Sequence, residues 1–221
     1  MTEKQAIQLR HSVRQYKSDS LDPDTVDILR KETQECNRLS GLNIQLLTEE
    51  PLGFSGMMAK YGRFDGVKNY FALVGKKGKG LDEKIGYYGE RLVLKAQALG
   101  LNTCWVALTY NKAKCPATVN ADEKLVCVIS LGYGESQGVL HKSKPMATLC
   151  PCYDSAPDWF KEGADAAILA PTAINQQKFI LDYKQGEVIL KAKLGPCSKI
   201  DLGIIKYHFE TGADKKGLFG L

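Results

Sequence analysis

Apolar residues recur at helical spacing in four segments of the chain. In residues 83–99 they share one face of a predicted helix, formed by Ile85, Tyr88, Leu92, Ala96 and Leu99. Gly100 is expected to end this helix. Similar spacing predicts helices over residues 23–39, from Trp159 to Ile168, and over about 200–211. The four helices are spread along the whole length, so we expect each to pack onto a shared core.

Short apolar runs between these helices predict strands. They lie at residues 43–48, 69–75, 103–108 and 125–131, and a hairpin is predicted from 179–183 and 187–191 around Gln185-Gly186. Residues 49–66 and 132–157 are rich in Gly, Pro and Ser and predict loops, the first with a possible short helix. Helices and strands interleave without a regular βαβ repeat. We therefore expect an α+β fold with a mixed central sheet flanked by helices.

Two parts of the chain resemble each other. Residues 23–47 predict a helix, an Asn-x-Gln pair and a strand, and residues 157–180 repeat this order. We interpret this as an internal duplication that mimics a two-fold dimer within one chain, with chance similarity as the alternative. The predicted halves are residues 1–138 and 139–221, joined in one compact unit that we expect to be a monomer.

Composition narrows the class of protein. The chain has 221 residues, 44% hydrophobic and 25% charged, with a formal net charge of +5, which is ordinary for a soluble globular protein. It has neither an apolar run of membrane-spanning length nor a dense Lys/Arg block, so we expect neither a membrane nor a nucleic-acid partner. No secretory signal is evident, so the seven cysteines should be reduced thiols in the cytoplasm.

Cys150 and Cys152 are the one cysteine pair with spacing suited to a metal. Two ligands are too few for a zinc site, and no second pair lies at suitable spacing. We therefore predict no metal, and two free thiols in a loop.

Two motifs carry candidate chemistry. Arg10-His11-Ser12-Val13-Arg14 places two guanidinium groups around a hydroxyl, which suits a phosphate because guanidinium forks onto phosphate oxygens. Residues 170–177, Ala-Pro-Thr-Ala-Ile-Asn-Gln-Gln, offer hydroxyl and amide groups that can pair with the edge of a flat ring. Together they indicate a phosphorylated heterocycle, and the best candidate is FMN.

These motifs resemble those of the FMN-dependent nitroreductase family. Its R-x-S-x-R corresponds to residues 10–14, and its A-P-S-x-x-N-x-Q motif is similar to residues 170–177. Residues 92–107 resemble its central helix and the following segment, and Leu131-Gly132-Tyr133 with the later basic residues resembles its L-G-Y stretch. The N-x-Q motif comes early in ordinary members, whereas here the early copy has decayed to residues 39–45. The chain therefore resembles a single-chain branch in which the second half replaces the partner subunit.

The resemblance implies roles for the phosphate-binding residues. Candidates for the flavin phosphate are Arg10, Ser12, Arg14, Lys142 and Lys144, and a solvated Lys-rich turn is the alternative for the last two. His11 joins the candidate cofactor-binding set by its position, although it is expected to pack or face solvent rather than act as an acid.

The resemblance also implies which residues contact the ring. Pro171, Thr172, Ala173 and Asn175 are candidates for the ring and ribityl edge, and Gln177 either serves that edge or begins a strand. Residues 105–108 (Trp105, Val106, Ala107 and Leu108) correspond to the family segment that passes under the flavin. The backbone amide of Ala107 or Leu108 is expected near flavin N5, and Trp105 is equally well explained as a core aromatic.

The expected function is that of an NAD(P)H-dependent FMN oxidoreductase. NADH or NADPH would reduce the flavin at N5, and a nitroaromatic or quinone-like acceptor would then be reduced in the same pocket, a ping-pong scheme. No catalytic side chain is required. The alternatives are an FMN-binding or storage module without efficient turnover, and a redox or metal protein centred on Cys150 and Cys152.

Overall fold

The computed structural model describes residues 1–221, which form seven α-helices and six strands. The helices are α1 Glu3–Leu9, α2 Pro23–Ser40, α3 Met57–Tyr61, α4 Leu81–Ala98, α5 Met146–Leu149, α6 Asp158–Ala167 and α7 Ser198–Gly212. The strands are β1 Gln45–Leu47, β2 Asn69–Lys76, β3 Asn102–Val106, β4 Glu123–Gly132, β5 Phe179–Lys184 and β6 Glu187–Ala192. No helix is long and apolar enough to cross a membrane.

The helix ends follow local sequence signals. The Asp22 side chain caps α2 by accepting from the Thr25 amide, and Gly41 ends the helix in the left-handed conformation with φ of +71°. Helix α1 was not predicted, because it is only seven residues long and too short to show apolar periodicity. Its signal is the capping box formed by Thr2 and Gln5.

The central sheet has the order β1-β2-β4-β3, and all its strand pairs are antiparallel. We expected a mixed sheet, but parallel pairing occurs only in isolated bridges. One of them joins Ser12 to Thr103 at the outer edge of β3. Strands β5 and β6 form a separate hairpin, as predicted. The sheet thus leaves one edge of β3 free for the N-terminal segment.

The predicted elements are otherwise present, with shifted ends. The strand expected at 43–48 shortens to β1 because the Asn37 side chain pairs with both the amide and the carbonyl of Ile44 at 2.8 Å. The loop expected at 132–157 contains α5 and a short 3-10 turn at Tyr153–Ser155. Both additions are a single turn long, too short for a periodic pattern.

Helices α4 and α7 pack together at the centre of the molecule through two glycines. A Cβ on Gly86 would overlap the Ile200 carbonyl oxygen, and a Cβ on Gly203 would overlap the Glu83 carbonyl oxygen. Each glycine therefore meets the residue three positions before the other glycine, a reciprocal contact. One hydrophobic core runs across this contact and includes Phe71 of β2 and Phe209 of α7.

Candidate functional site

A cavity of about 550 Å³ lies between the N-terminal segment, the end of β3 and the loop before β5. This volume is in the usual range for small-molecule and cofactor sites. Twelve of the fifteen residues predicted to bind the cofactor line it: Arg10, His11, Ser12, Arg14, Trp105, Val106, Ala107, Leu108, Pro171, Thr172, Ala173 and Asn175. The two motifs, 156 or more residues apart in the chain, therefore share one cavity.

The N-terminal wall is an extended segment that follows α1. The amide of Val13 donates to the Thr103 carbonyl at 3.0 Å, which fixes the segment along the free edge of β3. Val13 is buried in the core, while Ser12 and Arg14 on either side of it line the cavity. The alternation of an extended chain thus explains the Arg-x-Ser-x-Arg spacing.

The electrostatics of this wall leave polar groups without partners. Arg10 is only 4% exposed, and its Nε lies 3.8 Å from a Glu90 oxygen and has no hydrogen-bond partner. His11 Nδ1 is also buried without a partner. Burial lowers the pKa of both Arg10 and His11. Buried polar atoms normally find partners, and both residues line the cavity, so this wall is suited to a polar or anionic ligand.

Arg14 contributes a second cation at the mouth of the cavity. Its side chain is exposed, and its guanidinium carbon lies 5.9 Å from the centre of the Phe64 ring. Phe64 also lines the cavity. The aromatic ring restricts the arginine without neutralising it, so Arg14 keeps its charge for a ligand.

The C-terminal wall is a strained turn. Ile174, Asn175 and Gln177 adopt left-handed backbone conformations with φ of +48°, +54° and +44°. A branched residue such as Ile174 rarely adopts this conformation, so surrounding contacts must maintain it. One of them is the Thr172 hydroxyl, which accepts from the Gln177 amide at 3.0 Å.

Asp201, on α7, holds the same turn through Ala173 and Gln176. The Asp201 carboxylate accepts from the Ala173 amide at 2.9 Å and from Gln176 Nε2 at 2.7 Å. Burial raises the pKa of Asp201 to about 6, although both hydrogen bonds oppose the shift. Asp201 is the only carboxylate on the cavity wall.

The remaining three predicted residues, Lys142, Lys144 and Gln177, do not line the cavity. The Lys144 ammonium donates to the carbonyls of Gln176 and Gln177 at 2.7 and 3.2 Å, so two of its three N–H groups are used within the chain. Gln177 is 2% exposed, donates to the Lys142 carbonyl at 2.8 Å and accepts from the Lys144 amide at 2.7 Å. Gln177 therefore holds the backbone of the segment from Lys142 to Lys144 in place.

The floor of the cavity is the end of β3 and the residues after it. Trp105 is half-buried there, and its indole N–H donates to Glu90 at 2.8 Å. Ala107 and Leu108 lie beyond the strand, and their backbone amides make no hydrogen bond within the chain. Both amides are therefore available to a ligand.

Several wall residues were missed by sequence reasoning. They include Phe64, Val139, His141, Cys197, Ile200 and Asp201. Most stand alone in a loop or on a helix without a motif, and only the acidic first turn of α7 hinted at Asp201. The mouth is apolar, since Val139, Leu108 and Ile174 are 84%, 79% and 89% exposed.

The cysteines form neither a disulfide nor a cluster suited to a metal ion. All seven are free, and the Cys150 and Cys152 sulfur atoms lie 3.6 Å apart. No group of three or more His, Cys, Asp or Glu side chains is placed to hold a metal ion.

The helix-flanked antiparallel sheet matches that of solved structures with the nitroreductase-like fold, so the chain has this fold. A family model described as "Putative TM nitroreductase" matches residues 3–213, so the chain belongs to this nitroreductase family. No curated protein matches it. A "putative nitroreductase" of Thermotoga maritima MSB8 superposes with a TM-score of 0.69 at 22% identity, covering 96% of this chain and 83% of that one.

Two further solved structures share the fold over part of the chain. A "putative nitroreductase in complex with FMN" from Desulfovibrio desulfuricans has a TM-score of 0.54 at 18% identity, covering 67% of this chain and 94% of that one. A "putative NADH dehydrogenase/NAD(P)H nitroreductase" of Parabacteroides distasonis has a TM-score of 0.53 at 16% identity, with 67% and 97% covered. At these identities the likeness establishes the fold.

Proposed function

We propose that this chain binds one FMN in the cavity and uses it as an NAD(P)H-dependent oxidoreductase. The observation that carries the proposal is the convergence of Arg10 and Arg14 with the Pro171–Asn175 turn on one cavity. Family membership and the FMN complex of a structural neighbour give independent support. The unpartnered Nε of Arg10 and the cavity volume fit a phosphorylated flat ring.

The residues present suit the parts of FMN. Arg14 and Ser12 would hold the phosphate, with Arg10 deeper in the wall adding charge-assisted hydrogen bonds. The Pro171–Asn175 turn would meet the ring edge, and the free amide of Ala107 or Leu108 would face N5. Bound FMN would supply two-electron hydride chemistry, for which no protein nucleophile is needed.

The apolar mouth favours flat, apolar electron acceptors. Val139, Leu108 and Ile174 line the cavity and expose apolar side chains to solvent. Donor and acceptor would bind in this one cavity in turn, which is a ping-pong scheme. Nitroaromatic and quinone-like compounds are flat and largely apolar, so they would pack against these side chains.

The organisation of the chain supports one site per monomer. The reciprocal contact of Gly86 and Gly203 agrees with an internal duplication in which residues 1–138 and 139–221 imitate two subunits. The N-x-Q copy at residues 43–45 makes other contacts: Gln45 bonds the Thr118 amide and carbonyl. We therefore propose a cytoplasmic, monomeric pseudo-dimer with one FMN.

Absorbance spectroscopy of the purified protein tests cofactor identity and stoichiometry together. We expect a yellow protein, or a colourless one that takes up one equivalent of FMN at micromolar concentration, and rapid anaerobic bleaching by NADH or NADPH. Failure to take up FMN refutes the proposal. Binding without rapid bleaching would instead establish a flavin-storage module, and bound zinc or iron would favour a cysteine-centred protein.

A further inference from the structure

Glu90 lies in the middle of α4, wholly buried behind the cavity wall. One carboxylate oxygen accepts from the Trp105 indole N–H at 2.8 Å. The other lies 2.9 Å from Nε2 of His208 on α7, which is also fully buried, and 3.8 Å from Arg10 Nε. Two residues of the cavity wall, Trp105 and Arg10, thus meet the same buried carboxylate.

The hydrogen bonds around His208 determine how many protons Glu90 and His208 hold together. Nδ1 of His208 lies 3.0 Å from the Ala166 carbonyl, which only accepts, so Nδ1 carries a proton. In a neutral imidazole Nε2 would then be bare, and it would face a bare carboxylate oxygen at 2.9 Å. Two acceptors repel at this distance, so one proton lies between them. Glu90 and His208 therefore form a unit with no net charge.

Because Glu90 and His208 together carry no net charge, Arg10 forms no hydrogen bond with Glu90. A bare Glu90 carboxylate would attract the guanidinium into a direct hydrogen bond, whereas Arg10 Nε remains 3.8 Å away without a partner. The positive charge of Arg10 is therefore left for whatever occupies the cavity.

A glycine on α4 makes room for the contact between Trp105 and Glu90. A Cβ on Gly89 would overlap the Trp105 ring, so only glycine at this position lets the indole lie against α4 and reach Glu90. The side chain of Glu90 thereby fixes the orientation of Trp105 where it borders the cavity.

We propose that Glu90 is a positioning residue for the cofactor wall, and that the proton it shares with His208 keeps Arg10 available to an anionic ligand. The affinity readout rests on the proposed function, because it uses FMN. A second readout does not: the chain has only two tryptophans, so the indole N–H resonance of Trp105 can be followed in the flavin-free protein with Trp159 as reference.

Four variants separate hydrogen bonding from charge. In Glu90→Gln the amide accepts from Trp105 and donates to a neutral His208, so FMN affinity should stay within about twofold of wild type. Glu90→Leu loses both bonds and should weaken FMN binding at least about tenfold. His208→Leu leaves a bare carboxylate that captures Arg10, with a similar loss. Adding Glu90→Gln to His208→Leu should restore most of the affinity.

The indole resonance of Trp105 should be retained in Glu90→Gln and shifted in Glu90→Leu. Glu32→Gln is the control. It breaks a partly buried ion pair between Glu32 of α2 and Arg91, the neighbour of Glu90 on α4. This ion pair lies away from the cavity, so the variant should change neither readout.

The inference is overturned if His208→Leu binds FMN like wild type, or if Glu90→Gln is as damaging as Glu90→Leu. Should Glu90→Leu fail to fold, the His208→Leu variant and its Glu90→Gln rescue decide the same question. If wild type does not bind FMN, the proposed function fails, and the Trp105 resonance alone tests whether Glu90 positions the indole.

Discussion

Replacing Asp201 with asparagine should change how the stability of this protein depends on pH. The carboxylate is buried against the strained turn, and its pKa rises from the ordinary 3.8 to about 6. The folded state therefore holds the Asp201 proton more tightly than the unfolded chain does. Ionised Asp201 thus costs stability above pH 6, and the cost disappears as the pH falls towards 3.8.

The size of the effect follows from the pKa difference. At about 1.4 kcal/mol per pKa unit, the penalty is about 3 kcal/mol at pH 8, and about half of it remains at pH 5. The Asp201→Asn side chain carries no charge and pays no such penalty. It also mismatches Gln176 Nε2, which donates to the carboxylate at 2.7 Å, but that loss does not vary with pH.

Urea denaturation at several pH values measures this directly. The stability of wild type relative to Asp201→Asn should increase by about 1.5 kcal/mol between pH 8 and pH 5. Asp19→Asn, a change of an exposed carboxylate, is the matched control and should track wild type. Parallel profiles for wild type and Asp201→Asn would refute the assignment of a raised pKa to this group.

Three further substitutions probe other parts of the structure. Arg14→Ala should weaken FMN binding by about tenfold or more in flavin fluorescence titrations, because it removes a charge-assisted contact, whereas exposed Lys17→Ala should not. Gln177→Ala removes the hydrogen bonds from the buried Gln177 side chain to the backbone of Lys142 and Lys144, and should lower the unfolding free energy by about 1–2 kcal/mol; an unchanged melting temperature would contradict this. Gly203→Ala should destabilise by more than about 2 kcal/mol through overpacking, while Gly78→Ala, in open space, should not.

The sequence predicted the two walls of the cavity because each is a local motif. Arg10, Ser12 and Arg14 alternate along an extended segment, and the Pro171–Asn175 turn is contiguous. Side-chain chemistry and spacing were therefore enough to indicate a shared ligand, and the structure places both motifs on one cavity.

The residues that support these walls could not be predicted in the same way. Glu90 precedes Arg91 in a helix, where a charged residue is normally exposed, and its partner His208 lies 118 positions later. Lys144 had the charge expected of a phosphate ligand, but its ammonium is used by the carbonyls of Gln176 and Gln177. Such pairings depend on tertiary packing, which local patterns do not encode.

The wide separation of the two walls along the polypeptide has a consequence for biosynthesis. A ribosome-bound chain that has emerged only as far as β4 already carries the arginines but lacks the turn that completes the pocket. Ligand capture must then wait until the 171–175 turn has been made and α7 has docked behind it. A bound ligand would thereafter tie the two distant segments together and slow their separation when the protein is heated or attacked by proteases.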